Sequence, residues 1–144
     1  MKTTTAIILL TLLFCDLYSP VVGYDVNITM PVEDETERFQ PLWEAVCMVE
    51  SSNNYHALNT LEMAYGIAQI RQIRLDDYNQ RTGEHLGLLQ CYDENYSRKI
   101  FMYYAVRLQD YETIARQWNG GPNGMKYEQT YIYYLKVQKV LLSL

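Results

Sequence analysis

The spacing of apolar residues divides the chain into helical stretches separated by polar breaks. Leu42, Ala45, Val46 and Val49 recur at i, i+3, i+4 and i+7, one face of an α-helix, which predicts a helix over residues 36–51. The run Ser51-Ser52-Asn53-Asn54 stops it, because short polar side chains compete for backbone hydrogen bonds. Residues 53–64 show no period and read as a loop. From Gly66 onward, Ile67, Ile70 and Ile73 predict a second helix reaching Asn79, ended by Thr82-Gly83. Asp93 stands as the cap of a helix over 94–108 whose aromatic-rich face carries Phe101, Tyr104 and Leu108. Asp110 opens a shorter helix to Trp118, and the run NGGPNG at 119–124 is the strongest breaker in the chain. A last helix over 128–142 places Tyr131, Tyr134 or Leu135, Gln138, and Leu141 or Leu142 on its apolar face. No alternating Val/Ile/Thr run with a hairpin turn intervenes, so the expected fold class is mainly α, with about five helices and little or no sheet.

The N-terminus follows a different pattern. Met1-Lys2 is a positive start, and Ala6 to Phe14 is apolar except for Thr11. Such a run is too short for a transmembrane span, which needs about 20 apolar residues, and fits an export signal. Residues 1–23 are therefore expected to be a signal peptide, with Gly23 at the cleavage position, and residues 24–35 an acidic N-terminal linker. The mature protein is expected to be secreted or periplasmic and to keep no stable transmembrane segment. Cys15 is the residue a lipoprotein signal would modify, but the bulky Phe14 precedes it.

The 144 residues fit one domain, taken here as 36–144, and 49% hydrophobic content is enough for a packed core. A net charge of −5 argues against nucleic acid as a partner. The acidity is local: residues 24–50 hold seven acids against one Arg. Removing the signal leaves Cys47 and Cys91, which either bridge in an oxidising compartment or lie as buried thiols.

His56 and His85 lack partners at metal-ligand spacing, so no metal site is expected, and the absence of G-x-S-x-G and of a phosphate-cradling loop removes the common hydrolase and nucleotide readings. Carboxylate chemistry remains. Glu50 closes an apolar helix after Val46, Cys47, Met48 and Val49, where lost solvation and the negative helix end both favour the protonated acid. A general acid of that kind is what glycosidic cleavage requires.

The segment Glu50-Ser51, then Asn54, Ala57 and Asn59, then Ala64-Tyr65-Gly66-Ile67-Ala68-Gln69-Ile70, resembles the E-S-x-x-N-x-x-A…G-x-x-Q-I signature of the lytic transglycosylases of the lysozyme-like superfamily. Trp118-Asn119-Gly120-Gly121-Pro122 resembles their A-Y-N-A-G-P motif, and the likeness spans roughly residues 40–140. It implies a lysozyme-like domain of the soluble lytic transglycosylase type, acting as a monomer without cofactor on peptidoglycan glycan strands. It also implies Glu50 as catalytic acid, and Ser51, Gly66, Gln69, Trp118 and Asn119 as substrate-binding residues, with Gly66 opening a helix along the glycan cleft. Glu62 occupies the loop where goose-type lysozymes carry an additional acid, which makes it a candidate base for a water-using muramidase. The alternative for Glu62 is a solvated loop acid or a partner of an Arg such as Arg71. Trp118 departs from the family's Tyr and lacks the phenol, so stacking or packing replaces support of the acid, and a catalytically silent glycan-binding module is a third reading.

Overall fold

The computed structural model describes residues 36–144; the expected signal peptide and acidic linker lie outside the described residues. Five α-helices are described: α1 (Gln40–Ser51), α2 (Gln72–Thr82), α3 (Glu94–Leu108), α4 (Tyr111–Gly120) and α5 (Glu128–Leu141). The fold is mainly helical, as the apolar spacing predicts.

Helix α1 begins at Gln40 with Pro41 in its first turn, where a missing N–H costs nothing. It ends where Ser52 and Asn53 adopt left-handed backbone, their N–H groups turning back to the carbonyls of Met48 and Cys47 at 3.0 and 3.3 Å. Asp93 and Asp110 cap α3 and α4 as expected, accepting from the N–H groups of Asn95 and Thr113, both at 2.8 Å.

A small antiparallel sheet of β1 (Leu58–Asn59), β2 (Ala64–Tyr65) and β3 (Ile70–Arg71), in that order, begins in the stretch read as a loop and ends in the stretch read as the second helix. Tyr65 pairs with Ile70, so residues 66–69 form the turn between β2 and β3 and do not open a helix. Gly66 (φ 74°) and Gln69 (φ 50°) both take left-handed backbone, which a helix cannot contain, and α2 starts only at Gln72. The Ile67–Ile70 spacing imitated a helical face because both side chains turn into the core from a tight bend.

The core joins α1, α3 and α4 through an aromatic chain. The Trp43 and Phe101 rings lie 5.4 Å apart, and Phe101 meets Trp118 edge-on at 5.1 Å. Cys47 and Cys91 are both buried as free thiols, which settles the alternatives for them. The inner face of α5 is Thr130, Tyr133 and Val137, one position away from the expected stripe; Tyr131 and Leu135 are exposed. With apolar residues all around this helix, period alone could not choose its phase.

Candidate active site

Glu50 is the penultimate residue of α1, where the helix leaves the core. Its side chain is half-buried, and its Oε1 accepts a hydrogen bond from the Tyr133 hydroxyl of α5 at 2.8 Å. Burial pushes the Glu50 carboxyl up to about 7, against the opposing pull of that hydrogen bond and of Arg71. Glu62 adds a smaller upward push and Arg74 a smaller downward one. Burial, with the Glu50 charge beside it, raises the Tyr133 phenol far above its ordinary value, so it stays a donor.

Arg71, on β3, ties the surroundings together. Its Nη2 donates to the Asn119 carbonyl at 3.0 Å, and its Nη1 stands 3.8 Å from Glu62 Oε2. Glu62 lies on the exposed turn between β1 and β2, so Arg71 is the partner its sequence position offered. Arg74 lies over the faces of Trp118 and Tyr104, at 4.5 and 4.8 Å, and donates to the carbonyls of Gln117 and Trp118. The end of α4 is thereby bolted to the start of α2 by two guanidinium groups.

Several residues expected to contact substrate have internal partners. The Ser51 hydroxyl donates to the Ile67 carbonyl at 2.8 Å and accepts from the Asn54 N–H at 3.1 Å, joining the end of α1 to the 66–69 turn. At Gly66 a Cβ would stand 1.8 Å from the Cys91 carbonyl oxygen, so this glycine admits the chain's own backbone. The Gln69 amide nitrogen donates to the Gly66 carbonyl at 2.9 Å and sits 3.4 Å from that of Ala57, and its carbonyl oxygen has no partner among the described residues. Trp118 is buried and its indole N–H donates to the Ala68 carbonyl at 3.1 Å; of its two expected roles, the structure displays packing. Asn119 is half-buried and its side-chain amide makes no hydrogen bond among the described residues.

On sequence grounds Tyr133 reads as one of several core or rim tyrosines; the structure sets its hydroxyl against Glu50. Its signal was a phenol on a helix face three residues from Thr130 and four from Val137, both buried. A phenol thus reaches Glu50 from α5, not from position 118 on α4. Among the described residues no three His, Cys, Asp or Glu side chains gather as a metal site would need, and no helix is long and apolar enough to cross a membrane. No family model matches the chain, and neither a curated protein nor a solved structure matches it.

Proposed function

We propose that this is an exported lysozyme-like domain that cleaves the β-1,4 bond between N-acetylmuramic acid and N-acetylglucosamine in peptidoglycan, as a lytic transglycosylase with Glu50 as its single acid. The observation that carries the reading is the half-buried Glu50 carboxyl, raised to about 7 and held by Tyr133 at 2.8 Å. An acid with this pKa is about half protonated near pH 7, so it can both hold and release a proton there.

Tyr133 engages Oε1, so Oε2 is the oxygen left to carry the proton to the glycosidic oxygen. As the bond breaks, the leaving sugar takes that proton and Glu50 becomes a carboxylate, which Arg71, Arg74 and the Tyr133 hydroxyl favour. The carboxylate then takes the proton of the muramoyl 6-hydroxyl as its oxygen bonds to the anomeric carbon, giving a 1,6-anhydro end and restoring the acid. No water is consumed. The free Asn119 amide and the Gln69 carbonyl oxygen are the groups available to hold an N-acetyl substituent.

Hydrolysis with Glu62 as base is the competing reading. The Arg71 ion pair and the exposed position of Glu62 favour transglycosylation, because a base needs a free carboxylate oxygen beside an ordered water. The silent-module reading rested on the missing phenol, and Tyr133 supports the enzyme over it. Digestion of purified sacculi followed by mass spectrometry tests all three. Anhydro ends are expected; free reducing ends would identify the hydrolase, and no products the silent module.

A further inference from the structure

Beside the candidate active site, a groove of about 500 Å³ runs between α2, the C-terminal part of α3 and the end of α4. Four of the chain's twelve basic residues line it (Arg71, Arg74, Arg81 and Arg107) in a protein whose net charge is −5. Its one carboxylate, Asp77, is already neutralised: the Arg81 Nε donates to both of its oxygens at 2.9 Å and the Tyr104 hydroxyl to one of them at 2.8 Å. The Arg107 guanidinium carbon stands over the Tyr103 ring, 3.5 Å from its centre, and its Nη1 donates to the Tyr103 carbonyl.

Two guanidinium forks therefore remain open. The Nη atoms of Arg81, and the Nε and Nη2 of Arg107, have no partner among the described residues. Ile73, 76% exposed, adds an apolar residue to the groove wall. Open planar forks suit carboxylates, which they bind with two parallel hydrogen bonds, and the exposed isoleucine suits aliphatic carbon between those carboxylates. An uncharged run of acetylated sugars offers neither feature, whereas a short acidic peptide offers both.

Arg71 belongs to this groove and also to the surroundings of Glu50, so a ligand in the groove is continuous with one at the acid. We propose that the groove binds the carboxylate-bearing peptide attached to the glycan strand, and that the protein selects strands by the free carboxylates of those peptides. This rests on the reading of Glu50 as the glycan-cleaving acid, and the experiment separates the two.

Peptide-bearing strands are prepared with free carboxylates and, in parallel, with those carboxylates converted to carboxamides. The wild-type chain is expected to show kcat/KM about tenfold higher on the acid form, the effect of losing one or two charge-assisted hydrogen bonds. In R81Q/R107Q that ratio should fall towards one; R107Q alone, which leaves the Arg81–Asp77 pair intact, should fall part of the way. Equal cleavage of both forms by the wild type overturns the groove and leaves the reading of Glu50 standing. Cleavage of neither form overturns that reading, and the groove is then decided by calorimetry with a soluble muramyl tripeptide. Binding lost on amidation and in R107Q supports the groove; absent binding, or equal binding of inorganic polyphosphate, overturns it.

Discussion

The Tyr133 hydroxyl donates to Glu50 Oε1 at 2.8 Å across 83 residues of chain, joining α5 to the end of α1. Because it stabilises the carboxylate, this bond holds the Glu50 pKa lower than burial alone would. Tyr133→Phe should therefore move the alkaline limb of the pH–rate profile to higher pH while lowering the rate at its plateau. A limb that stays in place or shifts to lower pH would show that the hydroxyl does not act on the acid.

Glu50→Gln keeps the shape and the acceptor for Tyr133 but cannot deliver a proton, so cleavage of peptidoglycan should fall by several orders of magnitude. The wild type's stability should carry a pH-dependent loss that the variant lacks. The folded-state value of about 7 lies above the ordinary 4.5, so the contribution of the protonated acid is complete below 4.5 and is lost as pH rises through 7. Gln carries no such loss. Denaturant melts should find the variant no more stable than wild type at pH 4 and more stable at pH 8, by at most about 3 kcal/mol.

Helices α3 and α4 were legible to the residue at their starts, because Asp93 and Asp110 cap by local chemistry that the sequence states directly. Glu50 was singled out by the motif resemblance; by position alone it reads as a solvated helix end, and its half-buried place against Tyr133 appears only when α5 is packed on α1. The 66–69 turn was not legible, since its apolar spacing fits a helix and a tight bend equally, and only pairing with β2 and β3 decides between them. Tyr133 was hidden by the abundance of tyrosine. With 14 in the chain, a phenol that supports an acid looks like every other one until α5 is set against α1.

Asn119 and Trp118 are neighbours with opposite expected behaviour. The Asn119 side-chain amide has no internal partner among the described residues, so Asn119→Ala should leave the melting curve within about 0.5 kcal/mol of wild type. Its kcat/KM should nevertheless fall, through the lost contact to an N-acetyl group. Trp118→Ala removes the ring that packs on Phe101, carries Arg74 and bonds to Ala68, and should cost about 3–5 kcal/mol. Thermal melts of both variants, read beside activity, test whether binding and packing divide between these two positions.

Gly66 and Gly83 share a left-handed backbone, φ 74° and 75°, and differ only in what surrounds them. Nothing lies within 4 Å of a Cβ added at Gly83, so Gly83→Ala should pay for conformation alone, about 1–2 kcal/mol. At Gly66 the added carbon would stand 1.8 Å from the Cys91 carbonyl oxygen and 2.7 Å from its carbon, both backbone atoms that cannot rotate away. Relief requires the 66–69 turn to separate from the 3₁₀ turn at Leu88–Tyr92, taking Ile67 and Ala68 out of the core and Ser51 off the Ile67 carbonyl. Gly66→Ala should therefore lose more than about 4 kcal/mol, the range of substitutions that break a packed backbone contact. Activity should go with it, because that turn anchors the end of α1 from which Glu50 projects. Equal melting shifts for the two variants would mean that the turn yields without disturbing Glu50.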